Sequence, residues 1–219
     1  MNYINENNKK IYIIEGVSNV GKTTLCRKLE EQYGFVVVQE AIRYLEQDYQ
    51  KPGSDILKIP NTIDEEKYNQ DILFKKEYEK LCYASELCKN GFNVAIDKSM
   101  LGIIATAYAF EQEKKYEGSF QYSVKIYKEY MKKAKSSNIM LPSAIILLDS
   151  EAEICRKRNV LRGHVLESEW IDPEITNKQR HFLWLYSCFT DIPVKLIKTS
   201  ELTAEQVLDR VLQYMNDFS

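Results

Sequence analysis

The sequence predicts an α/β fold, a five-stranded parallel sheet between two layers of helices. Three observations carry this reading. Short apolar runs alternate with longer amphipathic stretches, the pattern of a parallel sheet covered by crossover helices. Only 8 Gly and 5 Pro in 219 residues leave little room for loops. A glycine-framed segment, residues 16–23, lies between the first apolar run and the first amphipathic stretch.

The elements follow in order. Ile11–Glu15 is an apolar run of strand length, and 21–33 reads as a helix closed near Gly34. Residues 35–38 are β-branched and aromatic, as strands are. Residues 40–49 look helical, and Lys51-Pro52-Gly53-Ser54 breaks them into a polar loop. Thr62-Ile63-Asp64-Glu65 fits a capping box opening a long helix toward Cys88, which Lys89-Asn90-Gly91 ends. Residues 92–97 form the third strand, followed by helices over 100–112 and 120–135. Residues 144–148 are continuously apolar, as a strand covered on both faces must be. Residues 152–161 are helical. Asp172-Pro173 supplies an N-cap and a first-turn proline for a helix to about Cys188. Residues 193–197 are the fifth strand, and Thr203-Ala204-Glu205-Gln206 caps the last helix.

Composition narrows the function classes. A chain of this length suits one domain with an appended lid and needs no disulfide or metal for its core. Apolar residues at 44% and charged residues at 28% are ordinary for a globular protein. The net charge of -2 offers no basic field for nucleic acid. The polar start of the chain lacks a signal-peptide run, and no stretch reaches the ~18 apolar residues of a membrane span. Five cysteines without a C-x-x-C pair read as reduced thiols, so a cytoplasmic location is expected. With His164 and His181 alone, neither a zinc site nor a histidine triad is expected.

Gly16-Val17-Ser18-Asn19-Val20-Gly21-Lys22-Thr23 matches the phosphate-binding pattern G-x-x-x-x-G-K-[ST] in full, after a strand and before a helix. The fold is therefore expected to be a three-layer P-loop NTPase fold. Glycines let backbone amides of residues 16–24, including those of Ser18, Asn19, Val20 and Thr24, converge on phosphate oxygens. The following helix points its positive end at the same anion. Lys22 can bridge the outer phosphates of ATP, and the Thr23 hydroxyl can ligate Mg²⁺.

Ligands in open α/β sheets sit at the carboxyl ends of strands. Glu40 and Asp97 occupy such positions. One would orient an acceptor hydroxyl and another hold Mg²⁺ directly or through water; either could instead cap the next helix. Glu15 would touch metal-bound water or brace the loop. Asp149 is expected to cap the helix after Ser150. Arg158 and Arg162, four apart, share a helical face, and with Arg156 they open an arginine-bearing lid over about 156–172. Such a lid would neutralise charge on a transferred phosphoryl group and exclude water. Tyr68, Phe74, Tyr78 and Tyr83, with Gln70 and Asp71, either wall a nucleobase pocket or fill core. The loop at Thr199-Ser200-Glu201 could meet adenine. The tyrosine-rich helices also offer a face for a homodimer.

These residues resemble the thymidylate kinase and deoxynucleoside kinase superfamily. The resemblance rests on Ile14-Glu15-Gly16 with the loop, Asp97-Lys98-Ser99 after a strand, and Leu148-Asp149 followed by Arg158-x-x-x-Arg162-Gly163. Residues 38–46 also resemble the kinase domain acting on nicotinamide riboside. The likeness spans nearly the whole chain. It implies that Glu40 contacts the acceptor hydroxyl, that Asp97-Lys98 stands for an acidic-arginine pair, and that Arg158 and Arg162 are lid arginines. Two departures matter. Lys98 replaces an arginine fork by a point charge. Gln39-Glu40-Ala41 lacks the arginine that pairs with a monophosphate in thymidylate kinases, although Arg43 one turn later could compensate. The expectation is an ATP- and Mg²⁺-dependent kinase with a nucleoside-like hydroxyl acceptor, Arg43, Gln70 and Lys98 contacting that acceptor. The alternatives are a nucleoside monophosphate acceptor or a nucleotide switch without transfer.

Overall fold

The computed structural model describes residues 9–162 and 172–217. Five parallel strands run β1 (Ile11–Glu15), β2 (Val36–Val38), β3 (Val94–Asp97), β4 (Ala144–Asp149) and β5 (Val194–Lys198). Their spatial order is β2-β3-β1-β4-β5. The expected helices are α1 (Lys22–Tyr33), α2 (Ala41–Tyr49), α4 (Ile63–Lys89), α5 (Met100–Gln112), α6 (Ser119–Ser136), α7 (Ala152–Leu161), α8 (Pro173–Phe189) and α9 (Ala204–Asp217). One turn, α3 (Gly53–Ile56), forms where a loop was expected. Of the expected lid, residues 156–162 and 172 are described; Gly163, His164 and the residues to 171 lie outside the described residues.

Side-chain alternation along β1 sorts the helices into two layers. Tyr12 points toward Phe35, their ring centroids 6.1 Å apart, and toward Tyr214 of α9. Ile13 points the other way, into a small cavity shared with Leu81 of α4, Met100 of α5, Tyr127 of α6 and Tyr186 of α8. Helices α1 and α9 therefore cover one face, and α4, α5, α6 and α8 the other. All of β1 is buried, as the central strand of a covered sheet must be. β5 is an edge strand, and its exposed Lys195 and Lys198 guard it against pairing with another chain.

The caps follow the sequence. Thr203 N–H donates to Gln206 Oε1 at 2.9 Å, and Gln206 N–H returns to Thr203 Oγ1 at 3.2 Å, a complete capping box. Asp172 Oδ1 accepts Glu174 N–H at 2.8 Å and Ile175 N–H at 3.1 Å. At α4 only half the box forms. Glu65 N–H reaches Thr62 Oγ1 at 3.2 Å, but the Glu65 carboxylate accepts from Asn61 N–H instead of Thr62.

β1 and β3 are neighbours in register Ile14 to Asp97. After β1 the chain enters α1 on one face, and after β3 it enters α5 on the other. The crevice between two such strand ends is where an open sheet receives a ligand.

Candidate active site

The loop after β1 is built around two glycines in conformations that side-chain-bearing residues rarely adopt. Gly16 has φ 142° and Gly21 has φ 116°, in the region that favours glycine. A Cβ on Gly16 would also stand 2.4 Å from the Leu148 carbonyl oxygen. The Lys22 ammonium, on the first residue of α1, donates to Gly16 O at 3.0 Å and Val17 O at 2.9 Å. It thus lies within the bowl of its own loop. Thr23 Oγ1 donates to Asp97 Oδ2 at 2.8 Å. Ser18 and Thr24 are half-buried on the same turn.

Glu15 braces this loop. Its Oε1 accepts Gly16 N–H at 3.0 Å, while Oε2 accepts Ser99 N–H at 3.0 Å and Ser99 Oγ at 2.7 Å. Burial raises the carboxyl's pKa, and the Ser99 and Gly16 bonds work against that rise. The carboxylate ties the end of β1 to the residue that caps α5.

Helix α7 closes on the loop from the β4 side. Arg158 Nη1 donates to Val20 O and Thr199 Oγ1, both at 3.2 Å, and Nη2 to Thr199 O at 2.7 Å. Thr199 Oγ1 itself donates to Val20 O at 3.1 Å. Arg162 Nη1 reaches Asn19 Oδ1 at 3.3 Å, and Asn19 Nδ2 donates to Asn159 Oδ1 at 3.3 Å. The two arginines share the face their spacing predicted, with both guanidinium groups on residues 19–20 or their neighbour Thr199. Arg156 is exposed, away from them. Asn159 is a part of this seam that sequence reasoning missed; its place beside Arg158 was legible, its burial was not.

The ends of β2 and β3 carry the charged part of the site. Asp97 is 3% exposed, and its Oδ1 has no hydrogen-bond partner. Burial raises its pKa, Lys22 opposes that and Glu40 adds to it. Glu40 heads α2 without capping it through its side chain. Burial alone would push its carboxyl up, but Lys98, Lys22, Lys80 and Arg43 together hold it below the usual range. Lys98 has φ 64°, an uncommon conformation for a lysine. Burial would lower the Lys98 pKa, and Glu40, Glu15, Glu77 and Asp97 more than offset it. The sequence reading missed Lys80 and Glu77, both buried on α4 and joined at 2.9 Å. Their spacing of three was legible; their burial was not.

Other candidates go elsewhere. Arg43 is exposed and pairs with Glu46 at 2.9 Å. Gln70 is 1% exposed; its Nε2 donates to Glu66 Oε1 and Ser119 Oγ, both at 2.9 Å, and its Oε1 has no partner. Burial pushes the Glu66 carboxyl up to about 7. The four α4 aromatics form no single wall. Phe74 and Tyr78 pack in the core against Tyr130, whereas Tyr68 and Tyr83 face outward, because a 27-residue helix carries their spacing round its axis. Asp149 is not a cap. Its oxygens receive Arg180 Nε at 2.7 Å and Nη2 at 3.1 Å, a fork that outcompetes a single amide. This pair walls a cavity of about 240 Å³ that Val17, His181 and Trp184 also line.

Comparison with known proteins places this fold. No family model matches the chain, and neither does any curated protein sequence. Solved structures do match. Deoxyadenosine kinase from M. mycoides with bound dATP superposes at TM-score 0.68 and 18% identity, over 94% of this chain and 99% of that one. The same kinase with dCMP and dCDP superposes at 0.63 and 15% identity, over 94% and 99%. Thymidylate kinase from Candida albicans superposes at 0.69 and 14% identity, over 96% and 92%. The chain therefore has the P-loop kinase fold of these enzymes. The named structures do not extend to the nicotinamide riboside kinase likeness of residues 38–46.

Proposed function

We propose that the chain is an ATP-dependent, Mg²⁺-requiring kinase that moves the terminal phosphoryl group to a hydroxyl of a nucleoside or nucleoside-like acceptor. The observation that carries this reading is the meeting of two half-sites at the β1–β3 crevice. One is a glycine-shaped loop holding Lys22; the other is a carboxylate pair, Glu40 and Asp97, that a transfer to an alcohol needs. The full-length likeness of fold to a deoxyadenosine kinase and a thymidylate kinase supports it.

Amides of residues 16–24 would bind the phosphate chain, and Lys22 would exchange its two carbonyl bonds for phosphate oxygens. Thr23 and Asp97 suit Mg²⁺, being hard oxygen donors, and Asp97 Oδ1 is a buried acceptor still without a partner. Bound there, the ion would neutralise phosphate charge. Glu40 suits the hydroxyl-orienting role, because the cations around it keep its carboxyl ionised at neutral pH. Arg158 and Arg162 hold the loop and add positive charge beside it. Lys98, beside Glu40, would contact the acceptor, whereas Gln70, buried against Glu66 and Ser119, would do so only by opening that contact. Arg43 would take part only by leaving Glu46.

The absence of an arginine at position 39 and the Glu46 pairing of Arg43 favour an uncharged acceptor. Lys98 favours the second reading, a nucleoside monophosphate. A thermal-shift screen with a non-hydrolysable ATP analogue and a panel of nucleosides and monophosphates separates the two, since a true acceptor raises Tm beyond the analogue alone. Transfer from ATP to the best hit is then measured. No hit, or ATP hydrolysis with no phosphorylated acceptor, would defeat the proposal in favour of a nucleotide switch.

A further inference from the structure

Lys80 has a place in this site that the phosphate-loop chemistry does not explain. Its ammonium has three protons and spends all three on protein: one on Glu77 Oε1 at 2.9 Å, one on Asp97 O and one on Lys98 O, both at 3.1 Å. Two of these acceptors are consecutive main-chain carbonyls at the turn where β3 ends. That turn carries Asp97, bonded to Thr23, and Lys98, whose charge faces Glu40.

We propose that Lys80 is a positioning residue that sets the Asp97–Lys98 corner, and with it the acceptor half of the site, while Glu77 serves to neutralise it. The inference rests on the kinase reading for its functional half. Lys98 at φ 64° is in a conformation uncommon for a lysine and adopted at a cost in energy. On the strand side, Lys98 N–H is held by Ile14 O at 3.0 Å. Lys80 holds the carbonyl side, and one ammonium can reach both carbonyls where a neutral amide offers only two protons in a plane. A cation 3% exposed needs a counter-charge, which Glu77, 5% exposed and one helical turn earlier, supplies. The phosphate loop also has supports that do not pass through this corner, the Lys22 bonds to Gly16 O and Val17 O and the Arg158 bond to Val20 O. Loss of Lys80 should therefore damage the acceptor half and the Asp97 end of the metal site, and spare the loop itself.

The test uses the full chain. Lys80→Met alone strands the Glu77 carboxylate and can unfold the core, so the informative protein is the double variant Glu77→Gln/Lys80→Met, which buries no charge at this place. We expect it to keep a Tm near the parent value and the parent affinity for ADP measured without Mg²⁺ by calorimetry. We expect kcat for the acceptor to fall about 100-fold, as misplacement of a reacting group does, and Lys98 to leave the left-handed region in its crystal structure. Glu77→Gln, which spares both carbonyl bonds, should lose far less. If the double variant folds and retains either parent kcat or Lys98 at its present φ, the proposal is overturned. Equal loss of metal-free ADP affinity and kcat overturns it too, in favour of a general structural role. A parent chain that transfers no phosphoryl group defeats the kinase reading alone. The φ of Lys98 in the double variant then still decides whether Lys80 sets the corner.

Discussion

The two halves of the site are built on different principles. The donor half, residues 16–24 with α7 and Thr199, is held by hydrogen bonds that satisfy one another. Lys22, Arg158 and Thr199 all end on loop or neighbouring carbonyls. The acceptor half, at the ends of β2 and β3 with α4 behind them, packs Glu40, Asp97, Lys98, Lys80 and Glu77 together. It leaves Asp97 Oδ1 and, farther along α4, Gln70 Oε1 without partners. In the kinase reading proposed above, one half would serve as a finished cradle for an anion shared by every nucleotide. The other holds polar capacity in reserve, which is what selection of one acceptor would require.

Four measurements would break or sharpen this contrast. Lys22→Ala should strike the donor half hardest, lowering turnover by roughly 10²–10³-fold with circular dichroism and Tm little changed. Parent-level transfer would remove the loop from the chemistry. Glu40→Gln should strike the acceptor half, depressing kcat by about 10²-fold while the KM for ATP holds, and an equal loss in both would make Glu40 a structural residue.

The remaining two read stability. Glu66, whose pKa burial raises to about 7 from 4.5, is favoured protonated in the fold. Its stabilisation is complete below the unfolded value and is lost as pH rises through the folded one. Unfolding free energy should therefore fall between about pH 4.5 and 7, and Glu66→Gln should flatten that fall in denaturant titrations. An unchanged slope would mean that Glu66 is ionised beside Gln70. Asp149→Asn, beside the donor half, should cost about 1–2 kcal/mol by weakening one charge-assisted pair to Arg180. No measurable cost would show the fork to be incidental.

Legibility in the sequence follows the same division. The loop, its strand and its helix are contiguous, so eight consecutive residues specified the glycine-framed loop and its place between β1 and α1. The five strands, the capping box at Thr203 and the proline-started helix at Asp172 were readable because each is a local pattern. What escaped depends on contacts distant in sequence. Lys80 lies 17 positions from Asp97 and Arg180 lies 31 from Asp149. Asp149 looked like a cap because a strand-end acid before a helix usually finds an amide, and nothing local announces a guanidinium on α8. The aromatics of α4 misled for a related reason. Composition suggested one wall, but the turn of a long helix divides Phe74 and Tyr78 from Tyr68 and Tyr83.

The alternation of β1 sets a limit on how this chain can change length. Tyr12 lies under one helical layer, while Ile13 and Glu15 lie under the other, and Glu15 carries the loop's main brace. Adding or removing a single residue between Tyr12 and Glu15 would invert one part of the strand against the other, thrusting the phenol among α4 and α5 or turning the brace away from Ser99. Insertions are thus barred from the first strand.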